Sequence, residues 1–297
     1  MLILLPIIAA ILFGSQFVFQ KLLGQVNTDS YNLSMVLGTV LSTVVIFVFG
    51  SLIQGFEAID LIPFFIAFVG GLFWSFANKL SLVGINNIGM SKTSVILNMV
   101  SVISFIFGIL FFAETPDLYR YVGIPFLIGG AVLVSLLGEN NGGKINKKGV
   151  ISVFIATIFI SINNLFLVDA ITAKYVPHLT ITFFTSVMCV TLGAIVGAVL
   201  LNLKPSKLRE WKSQPKRTHL YAMAAGLTWV SGYEISAFIL SGPEAGLTYV
   251  PLIQSLVTIA SALWGIIYFK EIFGKRKLTL YVVGSGIVIL GVVIFSL

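Results

Sequence analysis

The chain has 297 residues, 58% hydrophobic and 10% charged, with 18 Lys and Arg against 11 Asp and Glu for a formal net charge of +7. Its mean hydropathy is +1.05. That excludes a soluble domain, whose surface must be solvated and of which about a quarter is charged on average. It also argues against nucleic-acid binding, because the basic residues sit in short breaks between apolar runs and report membrane topology before they report a polyanion.

A spanning helix needs roughly 20 mostly apolar residues. In chain order the runs predict spans near 2–23, 31–53, 61–84, 91–113, 119–137, 149–171, 177–202, 218–240, 246–269 and 278–297. The first run lacks a basic n-region and a small-residue cleavage site, so it reads as a span and not as a removable signal. Polar or Gly-rich breaks fall at 25–30, 139–148 and 204–217. The single Cys189 lies inside a span and reads as a small packing residue, with no disulfide, metal or redox partner to suggest otherwise.

The chain also repeats itself. Gly71-Leu72-x-Trp74 recurs as Gly226-Leu227-x-Trp229 and Ser81 meets Ser236, at an offset of 155 (226 − 71). Gly89, Ile96, Gly108, Ile109, Phe112, Glu114 and Gly129 then match Gly246, Ile253, Gly265, Ile266, Phe269, Glu271 and Gly286 at 157 (246 − 89). Glycines, a Trp and a Glu holding one register are a stronger signal than apolar matches. The expected fold is an all-α membrane protein of ten transmembrane helices, built as two inverted five-helix repeats: 1–138, a connecting loop at 139–148, and 149–297. Five spans per half force the second half to enter the membrane upside down, the plan of many secondary transporters.

Lys and Arg set the orientation. One side holds Lys21, Lys92, Lys144, Lys147, Lys148, the six basic residues of 204–217, Lys270, Lys275, Arg276 and Lys277; the other holds Arg120 and Lys174. The positive-inside rule places the crowded side in the cytoplasm and both termini outside.

The segment 71–114, with Trp74, Asn78, Gly-Met-Ser at 89–91 and Phe-Phe-Ala-Glu at 111–114, resembles the drug/metabolite transporter superfamily. Within it the likeness is closest to the glucose/ribose uptake porters and the related rhamnose permeases. The resemblance implies a carrier for monosaccharide uptake, coupled to an ion, in the plasma membrane of a prokaryote. The expected partners are therefore a small-molecule sugar, the lipid bilayer and a coupling cation, and no nucleic acid.

Polar groups at membrane depth must be paired or face a cavity. Gln16 and Gln20 share a face of span 1, Trp74 and Asn78 a face of span 3, and Trp229 and Tyr233 the equivalent face of span 8, because residues four apart are helix neighbours. Asn98 and Ser101 lie in span 4, Asn163 and Asn164 in span 6, Gln254 and Ser255 in span 9. The candidate substrate-binding set is Gln16, Gln20, Trp74, Asn78, Asn98, Asn163, Trp229, Tyr233 and Gln254. Amides offer a donor and an acceptor to adjacent hydroxyls, and an aromatic face can pack on a sugar ring. The same amides can instead hydrogen-bond across helices for about 0.6–2 kcal/mol each.

Lys79 and Glu234 fall at equivalent positions, 155 apart. They suit a mutual ion pair, a coupling site with Glu234 as proton acceptor, or a clamp for a zwitterion; alternatively Lys79 snorkels to the headgroups. Glu114 and Glu271 each precede a helix, where a carboxylate can satisfy free N–H groups. Glycines at 108, 129, 130, 265, 284 and 286 read as packing residues. His178 and His219 have no ligand-spaced neighbours and read as interfacial, and no P-loop, cofactor motif or nucleophile–base pair appears. The chain is thus read as a secondary active transporter working by alternating access and not as an enzyme. The alternative is an exporter of amino acids or other small metabolites; a receptor or scaffold is disfavoured by the duplication.

The orientation is testable. In Ser213→Cys, an impermeant thiol reagent leaves the new cysteine unmodified in intact cells and labels it after permeabilisation; labelling of intact cells would reverse the topology.

Overall fold

Short polar side chains start the long helices. Asn27 accepts from the Ser30 amide at 2.9 Å, Asp60 from Ile62, Asn146 from Gly149 and Thr182 from Thr185, each satisfying an N–H that the first turn leaves free. The computed structural model describes residues 4–55, 60–135, 146–173, 179–241, 247, 250–270 and 274–295. Among them are α1 (Leu4–Leu23), α2 (Thr28–Gln54), α3 (Leu61–Ile88), α4 (Met90–Leu97), α5 (Met99–Phe112), α6 (Leu118–Ser135), α7 (Lys147–Thr172), α8 (Phe183–Leu201), α9 (Pro205–Ser213), α10 (Lys216–Leu240), α11 (Val250–Leu263), a π-turn (Trp264–Tyr268) and α12 (Lys275–Phe295), and no strand. Among the described residues, seven stretches are long and apolar enough to cross a membrane: α1, α2, α3, α4 with α5, α7, α8 and α10. The sequence expectations for Lys174, His178, Gly246, Glu271 and most of the 139–148 connection lie outside the described residues.

Polarity is distributed as a bilayer demands. Asn32, Gln20 and Ser161 are fully buried while Ile53 is 82% exposed, because polar groups must find partners inside and apolar ones can face lipid. The helices depart from the sequence reading in three places. The expected span 91–113 is broken at Asn98, which caps α4 and opens α5. Gly89, at φ 84°, turns the chain sharply between α3 and α4, a conformation that a Cβ disfavours. And the polar stretch 204–217, expected as a loop, contains α9, opened by Pro205 in its first turn, where the missing N–H costs nothing.

Four glycines let backbones touch at the centre. A Cβ at Gly71 on α3 would lie 1.9 Å from the Val190 carbonyl oxygen of α8, and one at Gly193 on α8 would lie 1.9 Å from that of Phe68. On the other side a Cβ at Gly226 of α10 would lie 2.0 Å from the Met35 oxygen of α2, and one at Gly38 would lie 2.3 Å from that of Met223. The two crossings correspond residue by residue at a shift of 155 (226 − 71, 190 − 35, 193 − 38, 223 − 68). The neighbours correspond as well: α3 packs on α7 and α8, α10 on α1 and α2, while α6 lies along α12. Of the glycines read as packing residues, Gly130 meets the Gly284 backbone, whereas Gly129 and Gly286 face open space.

Gly71→Ala and Gly226→Ala should each destabilise the purified protein by about 1–3 kcal/mol, the scale of overpacking, seen as a lowered melting temperature in detergent. Gly129→Ala, with nothing within 4 Å, should leave it unchanged or slightly raised.

Candidate functional site

Between the two crossings, aromatic residues of α3 and α10 meet. Trp74 and Trp229 stack at 3.7 Å between ring centroids and 28° between planes; Tyr233 covers the other face of Trp229 at 4.8 Å and 23°. Trp74 and Trp229 are themselves 155 apart (229 − 74), so the stack lies where the two corresponding crossings converge. Stacking of this kind is worth about 0.5–1.5 kcal/mol per pair beyond burial. It also closes both faces of Trp229, which leaves the outer faces of Trp74 and Tyr233.

A central cavity opens beside this stack. Its wall takes Phe13, Gln16 and Phe17 from α1, Trp74, Asn78 and Ser81 from α3, and Ser94 and Leu97 from α4; α7 adds Ile160, Asn163, Asn164 and Leu167. The wall is completed by Trp229, Tyr233, Ser236 and Leu240 of α10 and by Val250, Ile253, Gln254 and Val257 of α11. Of the described residues that line it, none is charged.

The amides divide into engaged and open ones. Asn163 Nδ2 donates to the Tyr233 hydroxyl at 2.7 Å. Asn78 Nδ2 donates to Asn32 Oδ1 at 2.7 Å and to Met35 Sδ at 3.3 Å, and Asn32 in turn donates to the Ser75 carbonyl. These two amides hold α7 to α10 and α2 to α3. The side-chain amides of Gln16, Asn164 and Gln254, in contrast, make no hydrogen bond to another described residue, and Gln16 Oε1 is buried with no partner among them.

Of the nine residues expected to bind substrate, the structure therefore brings Gln16, Trp74, Asn78, Asn163, Trp229, Tyr233 and Gln254 to one wall and leaves two off it. Gln20 donates to the Leu82 carbonyl and to Asn86 Oδ1, both at 3.0 Å, and so ties α1 to the end of α3. Asn98 accepts from Ser101 Oγ at 3.2 Å at the α4–α5 break. Shared helix faces predict which residues can point the same way, but not which face the neighbouring helices will cover.

The expected pairing of Lys79 with Glu234 is corrected. Lys79 Nζ lies 2.5 Å from Asp29 Oδ1, and Lys207 Nζ lies 2.8 Å from Asp29 Oδ2, so Asp29 is held between two cations. The Glu234 carboxylate is 4% exposed, off the lining, and finds no hydrogen-bond partner among the described residues. Sequence reasoning passed over Asp29 and Asn32 because they fall at the 25–30 break and the start of span 2; the i, i+3 spacing of two polar residues entering an apolar run was the available signal. His219, read as interfacial, is tied down: its Nδ1 lies 2.7 Å from Ser34 Oγ. Glu114, read as a cap for the next helix, folds back so that its Oε2 fills the space beside Gly108.

A multi-pass, all-helical fold around a charge-free, amide-lined cavity defines a membrane transporter. Residues 3–297 match the model of the family described as sugar transport protein, and the chain belongs to that family. It is 27% identical over 309 residues to the probable glucose uptake protein GlcU of Priestia megaterium, covering 99% of this chain and 98% of that one. Against the glucose uptake protein GlcU of Bacillus subtilis (strain 168) the identity is 25% over 304 residues, with the same coverage. A crystal structure of a protein at 13% identity shares the fold with a TM-score of 0.64, over 99% of this chain and 97% of that one. The chain is a multi-pass integral membrane protein of a prokaryote, and the relatives are named for uptake, not for a reaction.

Double-mutant cycles on thermal stability should give a coupling of about 0.5–3 kcal/mol between Asp29→Asn and Lys79→Met, the range for residues in contact. The cycle between Lys79→Met and Glu234→Gln should give none outside error.

Proposed function

We propose that the chain is a secondary carrier for monosaccharide uptake, and that glucose is the first sugar to test. The observation that carries this reading is the cavity wall itself, which combines open amides, hydroxyls and aromatic faces with no charged side chain. A neutral polyol loses hydrogen bonds to water on entry and needs donors and acceptors to replace them, since an unpaired buried polar group costs about 1–3 kcal/mol. Gln16, Asn164 and Gln254 supply both, the Asn78 carbonyl oxygen adds an acceptor, and the exposed face of Trp74 supports the apolar side of a ring. The names of the relatives point the same way. The amino-acid exporter reading needed Lys79 and Glu234 as a zwitterion clamp, and Lys79 is bound to Asp29 instead.

The carrier works by alternating access, in ten spans arranged as two inverted halves, 1–138 and 149–297, joined by 139–148. Support comes from the glycine crossings that correspond at a shift of 155 and from the matched helix neighbours, with α4 and α5 counted as one span and α11 with its π-turn as another. We place the chain in the drug/metabolite transporter superfamily on the same grounds together with the motifs of 71–114. The basic loops face the cytoplasm. Glu234 is the coupling residue: it is buried with no hydrogen-bond partner among the described residues and follows the cavity residue Tyr233 directly in sequence.

Counterflow in proteoliposomes against a panel of sugars and amino acids tests the substrate class: exchange of a hexose supports it, and exchange confined to amino acids overturns it. In a chain that exchanges sugar, Gln16→Leu should weaken binding by about 1–3 kcal/mol, and Trp74→Phe should be milder than Trp74→Ala. Glu234→Gln should retain exchange but lose accumulation against a gradient; continued accumulation would remove it as the coupling site.

A further inference from the structure

On the side of the basic loops the cavity stops at Phe17, Ser81 and Ser94, whereas on the opposite side its lining reaches Leu240 and Val250, the end of α10 and the start of α11. On that same side as the basic loops, α9 packs on the start of α2. Lys207, Glu210 and Trp211 fall on one face of this helix by their i, i+3, i+4 spacing, and all three are bonded to α2. Lys207 pairs with Asp29 at 2.8 Å, Glu210 Oε1 accepts from Asn27 Nδ2 at 2.7 Å, and Trp211 Nε1 donates to Ser34 Oγ at 2.8 Å. Lys207 also donates to the Leu201 carbonyl at the end of α8, at 2.9 Å. Leu208, Arg209 and Lys212, at the other positions of this stretch, are exposed.

The first turns of α2 are in turn bound to the cavity wall. Asp29 holds Lys79 of α3, and one turn further Asn32 accepts from Asn78, itself on the wall. A continuous set of polar bonds therefore runs from α9 through α2 to α3. Ion pairs and hydrogen bonds of this kind can be exchanged for water at modest cost when they lie near a surface, unlike the buried backbone crossings deeper in. We propose that α9 is a strap that keeps the basic-loop end of the cavity shut, with Asp29 as the latch between Lys207 of the strap and Lys79 of the wall. Opening to that face moves α9 with the start of α2 away from α3. This rests on the cavity being a transport path, and not on sugar being its occupant.

The test reads accessibility without any substrate. Ser81→Cys places a thiol in the cavity wall, and the native Cys189 is buried. An impermeant maleimide is applied to right-side-out and inside-out vesicles. Adding Lys207→Ala and Trp211→Ala should raise labelling of Ser81→Cys severalfold from the basic-loop face and lower it from the other. In the Ser81→Cys chain, an added Asn27→Cys/Glu210→Cys pair cross-linked by oxidation should suppress labelling at position 81 from the basic-loop face relative to the same chain left reduced, read site by site after digestion, which an unfolded protein would not do. Unchanged labelling from both faces in strap variants that remain monodisperse overturns the proposal, as does unhindered labelling from the basic-loop face with the cross-link formed. Loss of the sugar reading alone would show as absent hexose exchange with the labelling shifts intact.

Discussion

Contact between bare backbones at Gly71, Gly193, Gly38 and Gly226 is the constraint on which the rest of the molecule depends. In lipid there is no hydrophobic force between helices, so association relies on close packing and on polar bonds between them. A Cβ at any of the four positions would lie within 2.3 Å of a neighbouring carbonyl oxygen, and such a gap cannot be relaxed by a rotamer change. These contacts set α3 against α8 and α10 against α2, and α2 packs on α8 between them. The Trp74–Trp229 stack and the cavity beside it follow from that arrangement.

The polar residues then fall into two groups with different consequences. Asn32, Asn78, Asn163 and Gln20 have partners on other helices and act as fasteners. Gln16, Asn164 and Gln254 have none and face the cavity, where the cost of an unsatisfied amide is met by water or by a solute. A site built for a neutral ligand needs this division, because open amides are useful only if the helices carrying them are fixed by others. It fits the membership of the chain in the sugar transport protein family.

The two ends of the cavity are unlike. The basic-loop end is crossed by side-chain bonds among α2, α3, α9 and α10, and by Gln25 and Asn86 between the ends of α1 and α3. Charged and amide side chains suit that end because the headgroup region tolerates them, whereas the interior does not. The centre is held by glycine contacts and aromatic stacking, which have no polar alternative. Rigid centre and exchangeable end are what a protein needs if one face is to open without the core dissolving.

The membrane class was legible from composition alone, since no soluble surface can be made from this chain, and the correspondence of the two glycine crossings was legible from Gly71, Trp74 and their counterparts at 155. Trp74, Asn78, Trp229 and Tyr233 were found together because a helix face follows from spacing. Gln20 and Asn98 were misplaced because spacing says nothing about which helix arrives to cover a face. Lys79 was matched with Glu234 because they are equivalent in the repeat, but the helices to which equivalent positions point carry different side chains: Asp29 of α2 is there for Lys79. Local periodicity and composition determined which segments are helices in a bilayer. The pairing of charges, the split between engaged and open amides, and the bonding of α9 to α2 were decided by tertiary structure, because each depends on residues far apart in the chain meeting at distances of about 3 Å.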